Sequence, residues 1–508
     1  MVSNNRKSYG SILKSTSLTG GAQMLSTIIG MLRTKFAAVL LGPAGIGLIG
    51  TYMAIQQFVI SLAGMGINQS GVRDISSARA TGDQLRVAET VYVVRKLSLW
   101  FGIAGALIVI LISWPLSRFT FGDTGHALPI MALGISVMIT LVSAAQSAVV
   151  RGYRRIAELA RISVAGSAIG TLSAVIFYYF LGINGIIPAI LLQSAISLVL
   201  SWRASRRIAI QEVKLSWSQI RVHAKSLLGL GLAFMWTALL GAAMAYLVRL
   251  ILAREFDLTA VGIYAAAYAV SVSLVAMVTN AMGADYLPRL SEVSEDSNKM
   301  TQLVNEQAEI GILLGLPMMF GLILFANVLI QVLFTSEFMA ALPMIHLFAL
   351  GCFVRIFSWP MGFVLIAKKR SALFAKLQSA FFVTHLIMIY FLIRQFGPVG
   401  VALAFFLNAL ISFSGVYVVA RRLIQFHWTA SAFRLVAFSS VAMLSVFFAV
   451  HFIDDMLVFV AFIIIWLALS FCSVRSVCKL VSDDSRVIKL LGLLPKFLRC
   501  FLVPDASV

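Results

Sequence analysis

The stretch Ser26-Thr-Ile-Ile-Gly-Met-Leu-Arg-Thr-Lys-Phe-Ala-Ala-Val-Leu-Leu-Gly42, STIIGMLRTKFAAVLLG, decides how the chain is read. It has the apolar content of a membrane helix, yet it carries Arg33 and Lys35. A charge at the centre of a membrane helix costs about 2.5–3.5 kcal/mol on insertion scales. The pair therefore either anchors the helix at an interface or holds something negative. Gly42-Pro-Ala44 closes the stretch, and a second apolar run starts at once.

The rest of the chain has the same character. Its 508 residues are 60% hydrophobic and only 12% charged, with a mean hydropathy of +0.96. Lipid admits only helices or closed barrels, and the apolar runs are helix-length rather than alternating. The fold class is an all-α polytopic membrane protein. The first apolar segment lacks a short core followed by a small-residue cleavage site, so it reads as a retained helix and not a signal peptide. About 14 transmembrane helices are expected, near residues 15–41, 44–66, 97–119, 127–150, 162–182, 185–202, 226–253, 259–284, 307–335, 341–366, 372–393, 398–420, 433–452 and 456–474.

The formal charge of +20 would suggest nucleic acid in a soluble protein. Here alternate loops absorb it. Those on one side, with both ends of the chain, hold 33 of the 40 Lys and Arg residues. The positive-inside rule makes that side, and both termini, cytoplasmic. A bias that survives fourteen crossings supports the number of spans. The opposite connections are short, as in Leu181-Gly-Ile-Asn184, and leave no room for an extracytoplasmic domain. The tail beyond Arg475 alternates basic residues with Leu-Leu and Phe-Leu pairs. It reads as an amphipathic segment on the inner leaflet or as a partly disordered tail. Cys352, Cys472, Cys478 and Cys500 show neither a disulfide framework nor metal-ligand spacing.

The chain also repeats itself. At an offset of 216, Arg33 pairs with Arg249, Ala44 with Ala260, Tyr52 with Tyr268 and Arg73 with Arg289. At 215, Arg154-Arg155 pairs with Lys369-Arg370, Gly185 with Gly400, and Arg206-Arg207 with Arg421-Arg422. Spans 1–6 and 7–12 thus read as two copies. Six crossings per copy leave both facing the same way, which predicts two pseudo-symmetric six-helix bundles around a central cavity, with two extra C-terminal helices. The expected domains are residues 1–220 and 221–430 for the bundles, 431–475 for the additional helices and 476–508 for the basic tail.

In such a layout the charges inside the spans mark the candidate site. Arg355 lies thirteen residues before Lys368, about 20 Å of helix rise from the basic side. It is either paired with Asp285, Glu306 or Glu309 for packing or waits for an anion in a wet cavity. Arg33 and Arg249 occupy matching places in the first span of each copy. Each is either a snorkelling anchor or an anion-binding group, and their symmetry favours the second. Lys35 follows Arg33 by two residues and points about 200° away from it. Arg33, Lys35, Arg249 and Arg355 are the candidate substrate-binding cations; guanidinium suits phosphate through paired hydrogen bonds. Asp285, Glu306 and Glu309 are candidate proton-coupling acids, although Glu306 and Glu309 also suit the positive start of their helix. His346 is a titratable group that packing alone explains. No Gly-rich loop precedes a Lys-Ser/Thr pair, and no paired carboxylates, metal cluster or nucleophile triad stands out. The reading is a transporter, not an enzyme, without a cofactor and without nucleic acid as a partner.

The segments LGPAGIGLIGTY (Leu41–Tyr52), LAGMGINQSGVRDIS (Leu62–Ser76), AVGIYAAAYAVS (Ala260–Ser271), YLPRLSE (Tyr286–Glu292) and FTSEFMAALPMIHLFALGCFVRIFSWPMGFVLIAKKRS (Phe334–Ser371) resemble bacterial O-antigen flippases. These belong to the polysaccharide transporter family of the MOP superfamily, with the lipid II flippases and the multidrug and toxin extruders. The resemblance spans residues 10–430. It implies a cationic central cavity and movement of an undecaprenyl-pyrophosphate-linked oligosaccharide from the cytoplasmic to the periplasmic leaflet of the inner membrane. It also implies membrane lipids, and a polysaccharide polymerase and chain-length regulator, as partners. Arg249 and Arg355 fall where relatives carry basic residues, and Lys35 matches a basic position before the Gly-Pro. Some relatives have an acid one turn before the span-10 base; here that residue is Cys352. The two extra helices exceed the usual twelve, and the resemblance to fourteen-helix lipid II flippases leaves open whether they form a lipid groove. Two rivals predict different sequences. A drug or metabolite antiporter needs an acid-lined cavity, and a polymerase or ligase needs a large outer loop.

Overall fold

The structure is a computed structural model. It describes the backbone of residues 2–453 and 455–480, and the side chains of residues 21–476 apart from some positions in two central helices and residue 454. Among the described residues every regular element is helical. Eleven segments are long and apolar enough to cross a membrane; two of them, Gly21–Ala63 and Ile156–Arg206, each contain two spans, and Leu258–Ser273 is a further apolar stretch. All fourteen expected spans coincide with helices.

The opening stretch lies in α1, Val2–Ala63, which breaks at Gly42 (φ 65°, ψ −171°) before Pro43. A Cβ is strained at that φ and proline supplies the first residue of the next helical turn, so Gly-Pro divides one continuous run into two spans. Then come α2 (Ile67–Ala80), α3 (Gln84–Phe121), α4 (Ala127–Gly152), α5 (Ile156–Leu181), α6 (Ile186–Arg206) and α7 (Trp217–Glu255). They are followed by α8 (Leu258–Glu292), α9 (Ser297–Leu324), α10 (Ala326–Leu333), α11 (Leu342–Ala367), α12 (Ser371–Phe396), α13 (Val399–Ile424), α14 (Ala430–Phe452) and α15 (Met456–Leu480).

The short helix α2 differs from the expected loop between spans 2 and 3. It is too short and too polar to span, but Ile67, Ile75 and Ala78 are buried, with Ile75 against Val149 and Val150 of α4. Its mixed residues produce no helix-length apolar run, so hydropathy passes over it.

The chain forms two compact units. One contains the chain up to Ala265 and Leu333–Phe338; the other contains Ala266–Val332 and the chain from Met339 onward. In the first, α4 packs on α3 and α6, and α5 on α6 and α1. In the second, α11 packs on α9 and α13, and α12 on α13. The packing of α4 on α3 and α6 and of α5 on α6 thus recurs as α11 on α9 and α13 and α12 on α13, and the repeat is visible in detail. Helices α4 and α11 begin and end 215 residues apart, as do α5 and α12. The turns between them place Arg154 (φ 55°) and Lys369 (φ 57°) in the left-handed region, and the helices close at Gly182 (φ 54°) and Gly397 (φ 60°). Gly185 sits against the Phe177 carbonyl and Gly400 against that of Leu392, again 215 apart.

A reciprocal contact joins the second limb of α1 to the start of α8 within the first unit. Gly47 lies against the Leu258 carbonyl and Gly262 against the Pro43 carbonyl, so closely that a Cβ at either would overlap the backbone. Both pairings run at 215, one residue from the 216 that residue identities suggest for this region. The two additional helices lean on α9. There, Pro317 lies inside the helix, and Trp466 of α15 donates its indole N–H to the Pro317 carbonyl at 2.9 Å.

Candidate functional site

The candidate cations divide between the units. Arg33, Lys35 and Arg249 belong to the first, Arg355 to the second. On α1, Arg33 is half-buried and interacts electrostatically with Tyr178 of α5. Lys35 turns the other way: its Nζ donates to the Phe334 carbonyl at 3.3 Å. The angular separation expected of residues two apart thus sends one charge towards α5 and the other towards the Leu333–Phe338 segment.

Arg249 sits six residues before the end of α7 and is the most closely held. Its Nη1 donates to the Ala245 carbonyl at 2.7 Å. Its guanidinium carbon lies 5.4 Å from the centre of the Tyr264 ring, within cation–π range. Its Nε lies 3.2 Å from where a Cβ would stand on Gly50 of α1. That Nε is buried and has no hydrogen-bond partner among the described residues. Five residues on, Arg254 donates from Nε to Phe119 O at 2.8 Å and from Nη2 to Arg118 O at 3.0 Å. It therefore caps the Phe119 carbonyl near the end of α3 and shares the Arg118 carbonyl with the Gly122 N–H.

Arg355 is exposed although Cys352–Val354 and Ile356–Phe357 around it are buried. Its guanidinium carbon stands 5.5 Å from the Phe405 ring centre on α13, and Phe405 also meets His385 of α12. The guanidinium makes no ion pair among the described residues. Glu306 is exposed on α9 and accepts from the Gln302 amide at 2.8 Å, and Glu309 is half-buried on the same helix. Neither is Arg355's partner. The side chain of Asp285 lies outside the described residues. His346 is buried and stands edge-on to His451 of α14, ring centres 5.0 Å apart.

Two further polar groupings escaped sequence reasoning because their members are far apart in the chain. Tyr52 on α1 meets His126 Nδ1 at 2.8 Å; His126 precedes α4, outside the spans, and burial lowers its pKa, with Asp123 opposing. On the basic-loop side, a cavity of about 290 Å³ is lined by Asp74, Asp83, Arg86, Glu89 and His223. There His223 Nε2 lies 3.5 Å from Glu89 Oε2.

This helical plan is similar to that of solved transporters. A multidrug resistance MATE family transporter of the MOP superfamily, solved facing inward, superposes with a TM-score of 0.67 at 15% identity, over 79% of this chain and 94% of that one. The lipid II flippase MurJ, in an inward closed conformation, does so with a TM-score of 0.66 at 14% identity, over 90% and 97%. Residues 37–343 match the family described as polysaccharide biosynthesis protein, and the chain belongs to that family. It is similar to the lipid III flippase of Escherichia coli (strain K12), with 24% identity over 425 residues, 81% of this chain and 99% of the relative.

Proposed function

We propose that the chain is a flippase for an undecaprenyl-pyrophosphate-linked oligosaccharide, an O-antigen or related repeat unit. It moves this cargo from the cytoplasmic to the periplasmic leaflet of the inner membrane, with both termini cytoplasmic. The observation that carries the reading is the similarity to a lipid III flippase along almost the whole length of that relative. The cations within the helices agree with it. A guanidinium held by one backbone carbonyl and one aromatic face keeps donors for a phosphate. Arg355, exposed on an otherwise buried stretch of helix and without a carboxylate partner among the described residues, suits the same ligand.

The physical task is to move a glycan past hydrocarbon without stripping its hydrogen bonds, each of which costs kcal/mol when lost unpaired. Two six-helix bundles that open alternately to either side of a central cavity meet that task. The sugars stay in water, Arg33, Lys35, Arg249 and Arg355 hold the pyrophosphate, and the prenyl tail remains in lipid. Asp285, Glu306 and Glu309 are the acids through which a proton could drive the cycle. A polymerase and a chain-length regulator would receive the cargo outside.

The test is depletion of the protein in its host. Undecaprenyl-linked repeat units are expected to accumulate on the cytoplasmic face, and Arg355→Ala is expected to restore less than a tenth of wild-type export at equal abundance. Absence of accumulation, or full restoration by Arg355→Ala, contradicts the reading.

A further inference from the structure

We infer that Gly50 and Tyr264 are positioning residues for Arg249, a seat that holds its guanidinium in place for the anionic group of the cargo. The inference rests on the transport reading above and adds two residues to its site. It starts from the geometry around one side chain. Arg249 is a long, flexible cation in an apolar helix, and left to itself it would bend towards the nearest water. Three contacts oppose that. The Ala245 carbonyl one turn back takes Nη1 at 2.7 Å. The Tyr264 ring, buried to 4% exposure, lies under the guanidinium. The backbone of Gly50 lies alongside Nε, so close that a methyl group there would push Nε aside by a few tenths of an ångström.

Gly50 lies within a regular helix, so its backbone conformation does not require glycine. Among the described residues, the atom an added methyl would press on is Arg249 Nε at 3.2 Å, the next being Ala265 Cβ at 3.8 Å. Tyr264 contributes its ring face to the cation. A guanidinium fixed in this way gives up less freedom when it binds an anion, so binding is stronger for the same hydrogen bonds. The three residues come from α1, α7 and α8, and their seat is complete within one unit.

The test uses full-length protein and compares Gly50→Ala, Tyr264→Leu, Tyr264→Phe, Arg249→Ala and the double variants. Gly241→Ala serves as the control, because a methyl there meets nothing within 4 Å among the described residues. Export should fall at least threefold in Gly50→Ala and tenfold in Tyr264→Leu at equal abundance. Tyr264→Phe, which keeps the ring, and Gly241→Ala should stay within twofold of wild type. In the Arg249→Ala background neither substitution should cause further loss, since residues acting through one side chain are not additive. Losses that multiply in that background, or a Tyr264→Phe as poor as Tyr264→Leu, overturn the inference. A second readout is independent of transport: phenylglyoxal modification of Arg249 in purified protein, followed by mass spectrometry. It should be at least threefold faster in Gly50→Ala and Tyr264→Leu, and unchanged in Tyr264→Phe. Unchanged rates in the first two refute the seat. Altered rates with normal export by Arg249→Ala would keep the seat and refute the role of Arg249 in transport.

Discussion

At the scale of single residues, what separates the internal cations is what each one touches. Among the described residues, Lys35 has a carbonyl, Arg249 a carbonyl and a ring, Arg254 two carbonyls of a helix end, and Arg355 a ring. The sequence shows that each of these charges lies in or beside an apolar span. It could not say which were already satisfied, because the satisfying groups come from other helices. Tyr264 and Phe405 look like any other aromatic residues of a span until the fold brings a guanidinium to their faces. The same holds for His126. Burial favours its neutral form, so its folded pKa lies below the ordinary value of about 6.5. Its contribution to stability is therefore complete above that ordinary value and is lost as pH falls through the lower, folded one. Thermal unfolding of the purified protein should show a decline in stability on acidification below about pH 6.5. In His126→Gln that part of the decline should be absent; an identical pH profile would contradict the assignment.

At the scale of elements, glycine decides where helices can meet. Gly47 and Gly262 let the second limb of α1 and the start of α8 touch through their backbones, and neither neighbour can yield as a side chain would. Gly47→Leu should therefore be more harmful than ordinary overpacking, which costs about 1–3 kcal/mol. Membrane abundance of Gly47→Leu should fall several-fold, while Gly241→Leu, on open space, should remain near wild type. Equal abundance of the two would show that the helices slide apart at little cost. The helical spans were legible in the sequence because about twenty apolar residues between charged loops admit one structure in lipid. The amphipathic helix α2 was not, since it satisfies its backbone beside the membrane span and needs no apolar run. Nor was the reciprocal contact: its glycines look like every other small residue in a membrane helix.

At the scale of the whole molecule, the repeat is the organising fact. Two turns with a non-glycine residue at positive φ, Arg154 and Lys369, recur 215 residues apart with the helices on either side. Positive φ at a residue with a side chain is uncommon, so its recurrence marks two copies of one structure more firmly than residue identities do. If both copies face the same way, both turns lie on the basic side. Single cysteines at 154 and 369 in a cysteine-free protein should then react with a membrane-impermeant maleimide in inverted vesicles but not in intact cells with a permeabilised outer membrane. Opposite labelling of the two sites would refute the parallel repeat.

The sequence by itself determined the all-helical membrane class, the spans, the spacing of the basic loops and the repeat at about 215 residues. These follow from local quantities: hydropathy over one helix length, charge between helices and the spacing of identities. The tertiary structure alone decided which cations are held and by what, because an aromatic face, a bare glycine backbone and a free carbonyl acquire their meaning only when distant helices deliver them within a few ångströms of the same side chain.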